Sequence, residues 1–438
     1  PAGLTAALRL SAQGHQVTLV EEPVPAAEPP EIGDVLPTFW WGHDTATRDL
    51  LTLLGIHTRL AHAASLSLEF HPPPEPDVPA QPPIRLPRPW LPRPAFGLVS
   101  LWLFKALPLA DRWHLITRIE RAWERDPALP LDLDARSGAD WLLEWGQSER
   151  ACVRVWDPLS RFLLGDGLTG VSAALLVGSL SRCFFSTRRA SRLAWLSESL
   201  RDLILDPARA RLDQSGAVTR MGGRAMPLQV QKDRVTGIPL EDGRSLQGDW
   251  YVLALAHDRV AALVPERLLT RYSYFQHLTR LEVTPLVLQQ VRVPTPVRRP
   301  RLILLSSRPF DWVLATPTTG PSGQAVLLSM VAAGEEPTIA ASAETLREAG
   351  LRLALELFGE PAADAEVVTL QRWTRGRLAV QSGAAAMRPL PQSPIDNLLL
   401  AGEWTDTGLP PTVESAVRSG LRCAEVIVEQ ASRRRPSS

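Results

Sequence analysis

The sequence predicts an α/β protein in which a parallel, nucleotide-binding part is interleaved with an α+β part, and three stretches carry that prediction. Residues 397–420 read Asn-Leu-Leu-Leu-Ala-Gly-Glu-Trp-Thr-Asp-Thr-Gly-Leu-Pro-Pro-Thr-Val-Glu-Ser-Ala-Val-Arg-Ser-Gly. They predict a buried strand at 398–401, a turn at Gly402 followed by the acid Glu403, a Gly/Pro loop, and a long helix from about Thr412. The prolines at 410 and 411 fix the entry to that helix and leave its first N–H groups without internal partners, which suits an anionic or electron-rich ligand edge. Residues 1–22 predict a helix opening at Gly3 and stopped by Gly14, then a strand at 16–20 ending in acid. In a dinucleotide fold the third glycine of a G-x-G-x-x-G turn lets helix and strand approach closely. An acid about 20 residues on takes a ribose hydroxyl. Gly3 and Glu21 fit those roles, so this part is Rossmann-like, and the chain reads as starting inside the motif, without its first strand and first two glycines. The third stretch is the run of apolar strands at 286–293, 301–306, 312–316 and 324–331, which predicts an antiparallel sheet.

The remaining elements follow in order. Residues 44–54 predict a short helix stopped by Gly55. Eleven of the 24 residues from 71 to 94 are proline, which predicts a semi-rigid surface excursion. The apolar part of 90–109 is too short to span a bilayer and reads as a buried or pocket-lining helix, with an interfacial membrane helix as the alternative. Amphipathic helices are expected at 111–125, 137–145 and 151–164. Strands are expected at 216–225 and 229–238, with Asp242-Gly243 as a hairpin turn, and a buried parallel strand at 250–256. A helix at 344–358 and a strand at 367–373 complete the pattern. The basic end at 433–438 reads as a disordered, solvated tail.

Composition bounds the function. At 438 residues with 45% hydrophobic and 21% charged positions, the chain can bury a large core and has room for two or three domains. Acidic and basic residues balance at 47 each, so no nucleic-acid partner is indicated. Cys152, Cys183 and Cys423 are scattered, which suits a reducing compartment and excludes a cysteine metal site. No paired carboxylates, Ser-His-Asp set or metal cluster stands out, and no catalytic residue is nominated.

Taken together, the two ends resemble the flavoprotein superfamily of amine oxidases and phytoene desaturases. Within it the chain is most similar to the squalene-associated, FAD-dependent desaturase-like proteins, the hydroxysqualene dehydroxylases. The resemblance rests on the Ala-Gly-acid turn with Gly-Leu-Pro-x-Thr-x-Glu-x-Ala-Val-Arg-Ser-Gly. It continues in Val155-Trp-Asp-Pro-Leu159, the segment 249–263, Phe310-Asp-Trp-Val313 and Arg388-Pro-Leu-Pro391. It implies FAD as cofactor and a division into FAD-binding parts at 1–60, 206–270 and 391–432. The substrate domain would then take a mainly helical part at 61–205 and a sheet and helix at 271–390. By the same resemblance Gly3, Glu21 and the Ala225 backbone meet the adenosine half, and Gly402 and Glu403 the ribityl–diphosphate side. Pro411, Thr412 and Val413 would lie at the pyrimidine edge of the isoalloxazine. Trp40, Trp41, Phe310, Trp312 and Trp373 would surround the substrate, each having an ordinary core aromatic as its alternative. Strand alternation predicts that Phe310 and Trp312 share a side and that Asp311 points away from the pocket. Glu22 reads as surface charge.

Two departures from the family pattern bear on activity. The segment 23–30 has neither the glycines nor the arginine that the family places by the diphosphate, and Asp34-Val-Leu-Pro-Thr38 stands where the family has Asp-Asn-Gly-Gln-His. Leu36 and Thr38 offer neither close backbone approach nor a proton-moving imidazole. The resemblance implies an FAD-dependent oxidoreductase on an apolar isoprenoid, foremost reductive dehydroxylation of hydroxysqualene to squalene in hopanoid biosynthesis. The expected location is the cytoplasm, with peripheral contact at the inner membrane face. The alternatives are a carotenoid-type desaturase, an amine oxidase, and a degenerate paralogue that binds without turnover.

Overall fold

A computed structural model describes residues 1–22, 32–62, 64–73, 83–87, 95–123, 132–184, 186–216, 218–321, 323–334 and 340–434. Segment 23–30, much of the proline-rich excursion and the end of the tail lie outside the described residues. Its largest element is a seven-stranded sheet, in spatial order Glu366–Leu378, Val283–Val293, Gly323–Ala333, Trp312–Gly320, Arg301–Leu305, Leu68–His71 and Ile84–Arg85. The pairings are antiparallel except where Arg301–Leu305 runs parallel to Leu68–His71. Alternation along these strands feeds two cores. Leu288, Leu304, Trp312 and Leu314 pack with the helical block around Phe162 and Leu176, whereas Val287, Ile303, Val313 and Met330 pack under the helix Ala343–Phe358.

Two short parallel pairs stand apart from that sheet. Val17–Glu21 pairs in register with Val218–Gly222, and Tyr251–Leu253 with Leu398–Leu400. Among the described residues no strand joins one pair to the other. The helices Ala2–Ser11 and Val413–Arg434 pack tightly on each other here. A Cβ on Gly420 would sit 2.3 Å from the Ala2 carbonyl oxygen, so glycine is what allows the helices this close.

The structure changes two local expectations. Residues 229–238 form a hairpin, Gln229–Gln231 and Arg234–Pro239, because Lys232 and Asp233 take positive φ of 47° and 58° and turn the chain. Phe310 and Trp312 do not share a side. The strand begins at Trp312 and the residues before it bend, so Phe310 drops into the core under Ala343–Phe358 while Trp312 faces the helical block.

Candidate cofactor and substrate site

A cavity of about 290 Å³ lies between the motif helix and the large sheet. Strand Thr38–Trp41 supplies Trp40 and Trp41, the entry to helix Val413–Arg434 supplies Pro411, Thr412 and the helix's first residue Val413, and Trp312 enters from the sheet. Phe39, Phe162 and Trp312 form an edge-to-face trio with ring centroids 5.3–5.8 Å apart, so one wall is aromatic and dry. Of the residues expected around the substrate, Trp40, Trp41 and Trp312 line this cavity. Phe310 and Trp373 do not: both are buried in the cores that the sheet makes. Asp311 stays out of the cavity but is no surface residue, since its carboxylate accepts the Ala333 N–H at 2.7 Å in the interior.

The start of the motif helix is built to meet a ligand. Thr412 Oγ1 caps the Ser415 N–H at 3.2 Å, and the N–H groups of Val413 and Glu414 have no acceptor among the described residues. The carboxylate of Glu414 turns away from this end. It accepts the Ala46 and Thr47 N–H groups, the Thr47 hydroxyl and the Arg418 guanidinium, pinning helix Thr45–Leu53 to the motif helix. Arg182 also reaches the cavity and donates to the Gly408 carbonyl at 3.2 Å, with burial pulling its pKa below the usual arginine value.

Sequence reasoning passed over Asp44. This largely buried side chain precedes helix Thr45–Leu53 yet does not cap it; the carboxylate turns back to accept the Trp41 N–H at 2.7 Å. Burial pushes its carboxyl up to about 7, the Trp41 hydrogen bond works against that, and the nearby Glu414 adds to it. A carboxyl titrating there can hold a proton at neutral pH. The sequence signal was an acid beside aromatic residues, Trp40-Trp-Gly-His-Asp44, which does not distinguish a buried acid from a cap.

The loop from Gly402 to Pro411 is held from beneath by Arg388. Its guanidinium donates to the carbonyls of Glu403, Thr405 and Leu409 and to Ser415 Oγ, and burial lowers its pKa to about 10. Gly402 is needed for contact: a Cβ there would lie 2.3 Å from Trp404 Nε1, which is fixed by the Leu255 carbonyl. Glu403 is exposed, and its charge acts on the buried Arg388 beneath the loop.

Gly3, Glu21 and Ala225 lie away from the cavity, by the parallel strands. A Cβ on Gly3 would meet the Ala254 methyl at 3.0 Å, a tight helix–strand contact. Glu21 is clamped by Arg209 at 2.7 Å and Arg220 at 3.0 Å; burial opposes ionisation, but these arginines hold the pKa below the ordinary value. Glu22 is not loose surface charge. It pairs with Arg259 at 2.7 Å and accepts the Ala225 N–H at 3.2 Å, so that amide is already committed within the protein.

A family model for flavin-containing amine oxidoreductases matches residues 43–428. The chain belongs to that family. Membership brings FAD as the cofactor and redox chemistry as the class of reaction. Curated relatives include a zeta-carotene desaturase from a Synechocystis strain, 25% identical over 332 residues, covering 69% of this chain and 68% of that protein. A chloroplastic 15-cis-phytoene desaturase from Solanum lycopersicum is 25% identical, covering 68% of this chain and 52% of the other. A hydroxysqualene dehydroxylase from Rhodopseudomonas palustris is 27% identical over 271 residues, covering 60% and 58%. The chain thus spans about half to two thirds of the length of these relatives. The fold is similar to an oxidoreductase from Methanosarcina mazei, with a TM-score of 0.67 and 15% identity over 97% of both chains. It is also similar to cyclohexylamine oxidase from Brevibacterium oxydans, with a TM-score of 0.60 and 18% identity over 98% of both.

The residues fit FAD unevenly. The flavin end fits: free N–H groups of Val413 and Glu414 beside Arg182 and Arg418 suit the electron-rich edge of an isoalloxazine. Leu36, Pro37 and Thr38, part of the stretch expected to depart from the family pattern, line the same cavity. At the other end the Glu21 carboxylate already accepts three arginine hydrogen bonds, which leaves roughly one lone-pair site for a ribose hydroxyl.

Proposed function

We propose that this FAD-dependent oxidoreductase acts on a long, uncharged isoprenoid, and foremost that it removes an allylic hydroxyl reductively, as in conversion of hydroxysqualene to squalene. The observation that carries the reading is the composition of the cavity: an aromatic wall of Phe39, Phe162 and Trp312 with cations, Arg182, Arg377 and Arg418, in excess over ionised acids. Glu414 is neutralised by Arg418, and Asp44 is in part protonated at neutral pH. A protonated amine would meet net repulsion there, while an apolar chain would gain roughly 25 cal/mol per Å² buried.

On this reading Pro411, Thr412 and Val413 hold the isoalloxazine edge, Gly402 and Glu403 the ribityl side, and Gly3 and Glu21 the adenosine half. When bound and reduced, FAD supplies the hydride. The protein's own part is to align the apolar chain along Trp40, Trp41 and Trp312, to exclude water, and to hold a proton on Asp44 for the departing hydroxyl. The similarity to carotenoid desaturases supports a second reading, dehydrogenation of a polyene in the same cavity.

Access from a membrane surface suits such a substrate. Trp102, Leu103, Leu109 and Trp113, on two successive helices, are all exposed, with Leu109 65% and Trp113 59% accessible. Behind them Leu101 and Phe104 line a small apolar cavity that shares Cys183 with the large one. Among the described residues no helix is long and apolar enough to cross a membrane, so the contact would be peripheral.

The deciding experiment incubates the FAD-loaded, chemically reduced protein with hydroxysqualene and assays squalene by gas chromatography. Squalene formation is expected. Oxidation of phytoene, zeta-carotene or a primary amine, with no squalene from hydroxysqualene, would replace this reading, and inertness towards all of them would favour the degenerate paralogue.

A further inference from the structure

Arg377 differs from the other two cations of the cavity, Arg182 and Arg418, in the way it is held. It lies near the end of strand Glu366–Leu378, opposite Thr284, where the pairing with Val283–Val293 slips between Thr284 and Leu286. Gly376 makes that irregularity possible, since a Cβ there would sit 2.4 Å from the Leu286 Cβ. Such bulges re-aim side chains, and here the half-buried arginine turns into the cavity lined by Phe162 and Trp312. Its guanidinium lies flat on Gly165, the left-handed cap of helix Asp157–Leu164. A side chain at that glycine would come within 2.8–2.9 Å of Nη1, Cζ and Nε.

The Arg377 guanidinium makes no hydrogen bond and no ion pair among the described residues. The acid that acts on it electrostatically, Asp311, is committed to the Ala333 N–H at 2.7 Å and to Arg161 at 3.4 Å. A cation held this way against apolar walls is costly unless a ligand completes it, because five donors face a space with few acceptors. A plain hydrocarbon would leave them unmet, and an amine would add a like charge.

We propose that Arg377 is the specificity-determining residue of the cavity and donates to an oxygen acceptor on an otherwise apolar ligand. Resting on the reading above, that acceptor is the hydroxyl of an isoprenoid alcohol. Arg377 thus selects the hydroxylated chain over the hydrocarbon and orients it, because the oxygen must lie by Gly165 and the chain along the aromatic wall.

The test titrates the FAD-loaded protein, in detergent micelles, with a long-chain isoprenoid alcohol and with the matched hydrocarbon, amine and carboxylate. Affinity is read by calorimetry, independently of turnover. The wild-type protein should prefer the alcohol over the hydrocarbon by about 10-fold or more, the range of a charge-assisted hydrogen bond. Arg377→Met should bring that ratio to about one without weakening hydrocarbon binding or FAD content, and Arg377→Lys should restore part of it. A wild-type preference for the carboxylate, lost in Arg377→Met, would keep Arg377 as the selector and overturn the dehydroxylation reading instead. Equal binding of alcohol and hydrocarbon, a preference that survives Arg377→Met, or no binding by any of the four would overturn the proposal.

Discussion

Asp44 carries a carboxyl with a pKa of about 7 in a cavity that also contains His43, Glu414, Arg182 and Arg418. Its folded-state value is raised, so between about 4 and 7 the native protein holds a proton that the unfolded chain has released. Stability therefore falls as pH rises through that window, opposite to a salt-bridged acid. Asp44→Asn keeps an acceptor for the Trp41 N–H and removes the titration. The variant should be more stable than wild type at pH 8 by on the order of 2–4 kcal/mol and about equal at pH 4. Urea midpoints at the two pH values check this, and a wild-type-like pH slope in the variant would refute it. Arg388 is the opposite case, a buried cation with every contact inside the protein. Arg388→Met leaves the carbonyls of Glu403, Thr405 and Leu409 without this donor and should cost about 3 kcal/mol or more. Because those carbonyls belong to the loop beside the proposed flavin site, FAD content should fall as well, measured by flavin absorbance after gel filtration.

At the scale of elements, helix Val413–Arg434 organises the molecule. Its buried side packs Ala416, Ala424 and Ile427 with Ala2 and Leu10 of the first helix and with Leu399 of the parallel strand. Glu414 ties it to Thr45–Leu53, and Ser419 Oγ accepts the Gly402 N–H at 2.9 Å, coupling helix position to the loop. A side chain at Gly420 cannot be accommodated without moving backbone, since the nearest atom is the Ala2 carbonyl oxygen. Gly420→Val should destabilise by about 2–3 kcal/mol or more, the usual range for overpacking. A thermal melt unchanged from wild type would show that the two helices tolerate separation.

For the whole molecule, the cavity lies where the large sheet, the helical block and the motif helix converge, so its walls come from segments distant in sequence. The exposed tryptophans and leucines at 102–113 sit on that helical block, next to the smaller apolar cavity. Trp102→Ser with Trp113→Ser should reduce sedimentation with phospholipid vesicles by about 10-fold, while the melting temperature shifts little, because both indoles are already solvated. Vesicle binding equal to wild type would remove the membrane-contact proposal.

The periodicity of residues 398–434, the alternation along the apolar strands and the Gly/acid spacing at the N-terminus were legible without coordinates, because they are local. Period, turn chemistry and close-approach glycines act within a few residues of one another. From these the α/β class and the antiparallel sheet could be argued, while Trp40, Trp41, Trp312 and the 411–413 segment as neighbours of a cavity came from the resemblance to a family and not from local pattern. Tertiary structure alone decided what depends on neighbours from elsewhere in the chain. Phe310 left the cavity because the residues before Trp312 bend rather than extend. Glu21 and Glu22 acquired arginines from positions 209, 220 and 259. Asp44 became a near-neutral acid because burial is a property of the assembled fold. Arg377, one of many arginines in the sequence, became distinctive because a strand irregularity and Gly165 turn it, without a partner among the described residues, into an apolar space. Charge and residue type are written in the chain, but desolvation and pairing, which set what a charged group can do, are fixed when distant segments meet.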